Sequence, residues 1–94
     1  MIKYNIKYSK EFKKSFKKLK KQGKNIDKLL DVVELLSMNV LLDFKYRDHA
    51  LSNNNIFKNC RECHIEPDWL LIYKYIDEDL VLLLVNTGSH SEVL

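Results

Sequence analysis

The feature of this sequence that most constrains its fold is a change in the spacing of apolar residues about midway along the chain. Between Ser9 and Asn39, apolar residues recur three and four positions apart, which is the period of a helix that buries one face. From about Phe57 onwards, short apolar runs alternate with polar turns, which is typical of strands. This division predicts an α+β fold in which helices pack against a sheet.

The first half of the chain is expected to form a strand followed by two helices. Apolar and polar residues alternate over residues 2–8, which predicts a half-buried strand. Ser9 can cap the first helix, Gly23 can end it, and Asn25 can cap the second. Because the link over residues 22–25 is short, we expect the two helices to form an antiparallel hairpin.

The second half is expected to form a sheet after an irregular segment. Residues 40–57 show no clear period and are predicted to be irregular. Two tight turns follow, at Glu66-Pro67-Asp68 and at Asp77-Glu78-Asp79. The three strands that these turns separate are residues 57–65, 69–76 and 80–85. Since sequential strands joined by tight turns pair with their neighbours, an antiparallel meander is expected.

The length and composition are those of one small globular domain. With 94 residues, 46% of them hydrophobic and 31% charged, the chain can bury roughly 60–65% of its unfolded surface around one core. We therefore expect a single domain over residues 1–94. The alternating N-terminus is unlike a signal peptide, and no apolar run approaches about 18 residues. The expected location is the cytoplasm, with no membrane contact and with reduced cysteines.

Positive charge is concentrated at the N-terminal end of the chain. Residues 1–28 hold eleven lysines against two acidic residues, whereas residues 29–94 hold five basic and eleven acidic groups. This polarity creates a one-sided positive field that suits nucleic acid or an acidic protein. A solvated helix face with no binding role is the open alternative. The candidate RNA-binding residues are Lys13, Lys14, Lys17, Lys18, Lys20 and Lys21.

The two cysteines lie in a C-x-x-C-H segment that ends at His64, the pattern used to attach c-type haem. Haem attachment takes place outside the cytoplasm, which disagrees with the expected location. Zinc held by Cys60, Cys63 and a histidine is the other interpretation. Residues three apart on a regular strand point to opposite faces, however, and no second C-x-x-C completes a four-ligand set. We therefore expect two buried or half-buried thiols and no metal.

The chain has three histidines, and one of them is expected to lie close to a carboxylate. Because the unperturbed pKa of histidine is near neutrality, its side chain can accept and donate a proton while a phosphodiester is cleaved. His64 ends one predicted strand and Asp68 begins the next across a tight turn, so the two can come within reach. Trp69 beside them offers an aromatic surface for a base. A structural or surface role for each histidine is the open alternative.

Three segments of the chain together resemble a known family. The segments are Tyr46-x-Asp48-His49-x-Leu51, Arg61-x-x-His64-x-Glu66-Pro67-Asp68-Trp69 with the apolar run after it, and Thr87-Gly88-Ser89-His90. They are similar to the YafQ branch of the RelE/ParE toxin superfamily, and the lysine-rich helical hairpin extends the match over nearly the whole chain. The resemblance implies a RelE-like fold with an N-terminal strand, a helical hairpin and then an antiparallel meander.

The resemblance also implies an activity. Members of this branch are toxins of type II toxin–antitoxin pairs, ribosome-dependent endoribonucleases that enter the ribosomal A site and cut messenger RNA during translation. The family's catalytic set matches His49, His64, Asp68 and His90. His90 is then the expected general acid for the leaving 5′-oxygen, and the other three share the roles of base, orientation and charge stabilisation. Trp69 matches an aromatic residue that lines the site, and no metal or other cofactor is implied.

Partners are implied by the same resemblance. The lysines of the first helix would hold ribosomal RNA, a contact that weakens with salt. The cognate antitoxin would be a small acidic protein of the ribbon-helix-helix type, whose C-terminal segment wraps the basic helices. Operator DNA would be bound only through the antitoxin complex.

Two expected substrate-binding positions depart from the family pattern. Relatives carry an arginine four residues before the terminal histidine, where this chain has Asn86, and losing such a contact commonly lowers the rate by about 10²–10³. Arg61, a lysine such as Lys74, or ribosomal RNA is expected to compensate, or the enzyme is slow. Leu94 stands where relatives often have phenylalanine, so stacking on a base would be lost. The alternative function is a catalytically weakened or ParE-like toxin that acts mainly as a binding protein in an antitoxin–operator complex.

Overall fold

A five-stranded mixed sheet forms the centre of the fold in the computed structural model, which describes residues 3–51 and 58–93. In chain order the strands are β1 (Asn5–Tyr8), β2 (His49–Ala50), β3 (Arg61–Glu66), β4 (Trp69–Ile76) and β5 (Val81–Gly88). Their order across the sheet is β1-β5-β4-β3-β2. Strands β3, β4 and β5 form the predicted antiparallel meander, and β1 pairs in parallel with β5.

Three helices accompany the sheet, and their ends follow from local capping. They are α1 (Lys10–Lys21), α2 (Ile26–Ser37) and the short α3 (His90–Val93). The Ser9 hydroxyl accepts a hydrogen bond from the Phe12 amide at 2.9 Å, as predicted. Gly23, at φ 78°, follows the end of α1 as predicted. Within the described part of the chain, no helix is long and apolar enough to cross a membrane.

The predicted side-chain cap at Asn25 is wrong. Asn25 does stand immediately before α2, but its side chain makes no capping hydrogen bond. Its backbone has ψ 88°, compared with 164° at Ser9, where the cap does form. The chain therefore enters α2 with a backbone conformation different from the one that aims the Ser9 hydroxyl at the first turn of α1.

Apolar side chains pack on both faces of the sheet. The larger cluster joins the sheet to α1 and α2 and includes Leu29, Leu36, Cys63, Leu71 and Leu84. The smaller cluster, on the other face, includes Cys60, Leu70, Ile72 and Val93 of α3. Cys60 and Cys63 are both buried free thiols, and they belong to different clusters. The structure thus keeps the two thiols on opposite faces, as strand geometry predicts.

The prediction that residues 40–57 are irregular is wrong at two places. A turn of 3₁₀ helix covers Phe44–Tyr46, and β2 pairs antiparallel with the start of β3, with His49 opposite Glu62. A strand of two residues is too short to show an alternating pattern in the sequence. Residues 52–57 lie outside the described part, and with them the predicted start of a strand at residue 57. The predicted strand over residues 57–65 begins too early, because residues 58 and 59 form a turn and β3 starts only at Arg61. Asn59 has a left-handed φ of 63°, which a strand does not accommodate.

The last strand is longer than predicted, because it continues to Gly88 instead of ending near Val85. Asn86 and Thr87 pair with Ile72 and Leu71 through the backbone. Backbone pairing does not depend on an apolar side chain. The end of the strand could therefore not be located from the apolar pattern, which stops before these polar residues. This extension places α3, and with it His90, beside the turn between β3 and β4.

Candidate active site

Three imidazole rings come together at the β2 end of the sheet. His49 lies on β2, His64 lies near the end of β3, and His90 is the first residue of α3. The ring centroids of His49 and His64 are 6.4 Å apart, and those of His64 and His90 are 5.7 Å apart. Residues that are as far apart as 41 positions in sequence therefore form one cluster, which is the site that the sequence predicts.

Asp68 holds His90 in a defined orientation. The carboxylate oxygen Oδ1 accepts from the His90 backbone amide at 3.2 Å and lies 3.3 Å from Nδ1 of the ring. These hydrogen bonds, first the backbone bond and then the side-chain bond, hold the pKa of Asp68 below its usual value. A carboxylate can only accept, so Nδ1 carries the hydrogen and Nε2 is the nitrogen left to exchange a proton with a ligand.

His49 is held from two sides. Its Nδ1 lies 2.8 Å from the carbonyl oxygen of Arg47, to which it must donate because a carbonyl only accepts. Its Nε2 lies 3.6 Å from Oε1 of Glu62 on the neighbouring strand. The ring is half exposed, whereas Glu62 is buried. His49 is therefore a positioned and accessible imidazole at the edge of the cluster.

His64 is the buried member of the cluster, with 9% of its surface exposed. Burial lowers its pKa, Glu62 opposes that effect, and the charge of Arg47 lowers the pKa further. Its Nδ1 and Oε2 of Glu62 are buried side-chain atoms without a hydrogen-bond partner in the described residues. A ring whose pKa lies below the ordinary value of about 6.5 is mostly neutral at pH 7, and a neutral ring can accept a proton.

Glu62 is a member of the site that the sequence analysis missed. It lies two residues before His64, so the period of a strand places both side chains on one face. That spacing was a signal available in the sequence. Glu62, His64 and His90 each offer one ligand atom, and these three atoms lie within 4.8 Å of one another. The three residues could therefore hold a metal ion.

Trp69 does not form the accessible aromatic surface that the sequence suggested. It is only 1% exposed and packs in the larger core cluster. Its indole nitrogen donates to the Thr87 hydroxyl at 2.9 Å, and that hydroxyl donates to the Leu70 carbonyl at 2.7 Å. The ring cannot stack on a base unless it leaves the core.

The expected substrate-binding residues Asn86 and Arg61 make hydrogen bonds and ion pairs with residues outside the histidine cluster. The Asn86 amide oxygen accepts from Ser15 of α1 at 2.7 Å and from the Thr87 backbone at 2.8 Å. The Arg61 guanidinium lies 3.2 Å from the Asp48 carboxylate. Arg61 is three residues from His64 on β3, and so points to the opposite face. Leu94, the third such residue, lies outside the described residues.

The six candidate lysines all lie exposed on α1. Lys18 pairs with Glu92 of α3 at 2.6 Å, and Lys20 lies 5.9 Å from the centre of the Phe16 ring. Five of the six, all but Lys20, line a shallow groove along the helix together with Lys10. This exposed row gives one side of the molecule a concentrated positive charge.

Gly88 is required beside the site, and its replacement by alanine is expected to displace His90. At φ 149°, an added Cβ would lie 3.1 Å from Oε1 of Glu92 and 3.2 Å from Cγ1 of Val93, both in α3. We expect the free energy of unfolding to fall by about 1–3 kcal/mol and the NMR signals of the His90 ring to shift. In Gly23→Ala, where nothing lies within 4 Å, stability should fall while the ring signals stay. Unchanged His90 signals in Gly88→Ala would contradict this role.

Comparison with known proteins places the chain in a family. A family model described as the bacterial toxin of type II toxin–antitoxin systems, YafQ, matches residues 4–94. The mRNA interferase toxin YafQ of Escherichia coli is 41% identical over 69 residues, which cover 72% of this chain and 71% of that protein.

Solved structures agree with this result. The crystal structure of a metal-bound toxin from Helicobacter pylori has a TM-score of 0.90 and 41% identity, covering 97% of this chain and 99% of that one. The crystal structure of the Escherichia coli DinJ–YafQ toxin–antitoxin complex has a TM-score of 0.87 and 36% identity, covering 99% of both chains. The resemblance and the fold expected from the sequence are confirmed. The chain belongs to the YafQ family of bacterial type II toxin–antitoxin toxins.

Proposed function

We propose that this chain is an mRNA interferase, an endoribonuclease toxin that cuts messenger RNA on translating ribosomes in the cytoplasm. The observation that carries the proposal is the cluster of His49, His64 and His90, with His90 oriented by Asp68. Two accessible imidazoles beside a buried one supply proton donors and acceptors at neutral pH. The Escherichia coli relative bears the name mRNA interferase toxin YafQ.

His90 acts as the general acid in this mechanism. The 2′-hydroxyl of the substrate attacks the adjacent phosphorus, the bond from phosphorus to the 5′-oxygen breaks, and Nε2 of His90 donates a proton to that oxygen. The products are a 2′,3′-cyclic phosphate and a 5′-hydroxyl. Asp68 acts as a positioning residue, because its hydrogen bond to Nδ1 fixes the ring orientation.

His64 acts as the general base. Burial lowers its pKa, so the ring is neutral and ready to accept the proton of the 2′-hydroxyl. His49 lies at the exposed edge of the cluster. Its Nδ1 donates to the Arg47 carbonyl, so it can donate to a phosphate oxygen only from Nε2, in the doubly protonated form of the ring. Glu62, buried between the two strands, faces His49 and holds a negative charge next to the protonated state that His64 reaches after proton transfer.

The exposed lysines of α1 bind ribosomal RNA. Each lysine that neutralises a phosphate releases a counterion, so binding should weaken steeply as salt rises. When the toxin is inactive, its partner is a cognate antitoxin, proposed from the DinJ–YafQ complex of Escherichia coli. A small acidic protein of the ribbon-helix-helix type fits the positive face of α1, and operator DNA is reached only through that complex.

The proposed reaction takes place without a metal ion. The Helicobacter pylori relative was crystallised as a metal-bound toxin, and the donor atoms of Glu62, His64 and His90 have the spacing that such binding needs. A metal at this position would occupy the nitrogen atoms that the proposed mechanism uses for proton transfer. We therefore expect toxin that has been stripped of metal with a chelator, and then dialysed, to cleave at the unaltered rate.

Cleavage of a defined messenger RNA in a purified translation system tests the proposed function. We expect the unaltered chain to cut the message when ribosomes are present and to leave free message intact. Toxin that has been treated with EDTA and dialysed before the assay should keep its activity. The alternative is a weakened toxin that acts mainly by binding, an idea favoured by Asn86 in place of the family arginine. Absence of cleavage with and without ribosomes would contradict the nuclease function and would favour that alternative.

A further inference from the structure

The catalytic cluster needs a cation, and the positions expected to supply one do not. In the proposed reaction the phosphate gains negative charge as the 2′-oxygen attacks, and a fixed positive group nearby stabilises that charge. Asn86 is neutral, and its amide oxygen is bonded to Ser15. Arg61 is paired with Asp48 on the opposite face of β3.

Lys74 is also too far from His64 to supply the cation. It lies on β4, four residues beyond Leu70, which is the partner of His64 across the β3–β4 ladder. At about 3.3 Å per residue, the two backbone positions are separated by roughly 13 Å. A lysine side chain cannot span that distance back along its own strand to reach a phosphate at His64.

An arginine other than Arg61, namely Arg47, lines a cavity beside His64. The cavity has a volume of about 380 Å³ and is lined by His64, by the cationic side chains of Arg47, Lys45 and Lys28, and by the carboxylates of Asp31 and Glu66. Lys28 is paired with Glu66 at 2.9 Å, and Lys45 lies 5.1 Å from the centre of the Tyr46 ring. Among the described residues, no carboxylate lies within ion-pair distance of Arg47, whose guanidinium therefore remains available to an anion.

The backbone at Arg47 is fixed in place. Arg47 ends the 3₁₀ turn in a left-handed conformation, with φ 47° and ψ 43°, and its amide donates to the Phe44 carbonyl at 3.0 Å. Its own carbonyl accepts from Nδ1 of His49. The next residue, Asp48, is bonded to Tyr73 at 2.6 Å. Arg47 is thus attached to the same short segment that positions His49, and its charge acts on His64.

We propose that Arg47 is a catalytic residue that binds the scissile phosphate and supplies the positive charge missing at position 86. This inference rests on the proposed nuclease function. The planar guanidinium can donate two parallel hydrogen bonds to two phosphate oxygens, which neither Asn86 nor a lysine can do. The cavity next to Arg47 and His64 then holds the phosphate and the nucleotide attached to it, with His90 on the leaving-group side.

Single-turnover cleavage of ribosome-bound messenger RNA by Arg47→Gln tests the proposal. We expect the rate at saturating toxin to fall by about 10²–10³, with the melting temperature unchanged and only a small change in ribosome affinity. Arg47→Lys should lose less, because it keeps the charge without the paired donors. The matched control is Lys7→Gln, an exposed charge on β1 at the opposite edge of the sheet, which should cleave at the unaltered rate.

Rescue separates a phosphate contact from a structural role. Asn86→Arg in the Arg47→Gln background, or added guanidinium at millimolar concentration, should restore cleavage at least tenfold. An unaltered rate in Arg47→Gln, or a slow variant that neither treatment rescues, would overturn the proposal while leaving the nuclease function in place. Absence of cleavage by the unaltered chain would instead remove the proposed function and this inference with it.

Discussion

Replacement of His90 by glutamine is expected to lower the single-turnover rate of messenger RNA cleavage by about 10²–10⁴, the usual contribution of a positioned general acid. Glutamine can keep a hydrogen bond to Asp68, but it cannot donate a proton to the leaving 5′-oxygen. Because His90 is half exposed at the start of α3, the substitution should leave the melting temperature unchanged. Quenched-flow sampling of cleaved message on ribosomes measures the effect.

Two further variants make the test of His90 specific. Ser91→Ala changes an exposed neighbour in the same helix and should cleave at the unaltered rate. Asp68→Asn removes the charge that orients the ring, and its effect should be smaller than that of His90→Gln, since the imidazole can still donate. A His90→Gln variant that cleaves within about threefold of the unaltered chain would show that another group protonates the leaving oxygen.

Trp69→Ala is expected to lower the free energy of unfolding by about 3–5 kcal/mol, the range for removing a large aromatic side chain from a core. The indole is buried and donates to Thr87, so truncation leaves a cavity and removes the hydrogen bond that the Thr87 hydroxyl accepts. Because domains of this size are stable by only about 5–15 kcal/mol, this loss is a large fraction of the total stability. Urea unfolding followed by circular dichroism measures the loss.

The matched control for this prediction is Trp69→Phe. This variant keeps an aromatic ring in the core and loses the hydrogen bond to Thr87, so we expect a smaller cost of about 1–3 kcal/mol and a cleavage rate close to the unaltered one. A Trp69→Ala variant that unfolds at the normal urea concentration but no longer cleaves would contradict the core role. It would support a ring that leaves the core to stack on a base.

The general fold follows from periodicity because long amphipathic elements contain many repeats of one pattern. The stripes of α1 and α2, and the runs on either side of Pro67, carry enough repeats to identify helices and strands. The two residues of β2 carry none, yet their pairing with β3 positions His49. The end of β5 is polar and carries no apolar pattern either, so the extension that positions His90 could not be predicted. Elements too short to repeat a pattern therefore set much of the site geometry.

Within the site, the residue types were predictable and their surroundings were not. The three histidines and Asp68 could be named from spacing and resemblance, and the structure brings the histidine rings together. Burial of Trp69 depends on the helices that cover its face of the sheet, a long-range effect that local sequence does not record. The position of Arg47 beside His64 depends on a turn that the sequence analysis treated as irregular.

In the proposed mechanism the histidine cluster catalyses attack of a 2′-hydroxyl on messenger RNA without a metal, so a message that lacks this hydroxyl should resist cleavage. Once the cleaved position of a message is mapped, the same message with a single 2′-deoxynucleotide there can be placed in the ribosomal A site. With toxin that has been treated with EDTA and dialysed before it meets the ribosomes, we predict that the all-ribose message is cut to a 2′,3′-cyclic phosphate and that the substituted message stays intact. Cleavage of the substituted message, or loss of all cleavage by the metal-depleted toxin, would contradict this mechanism.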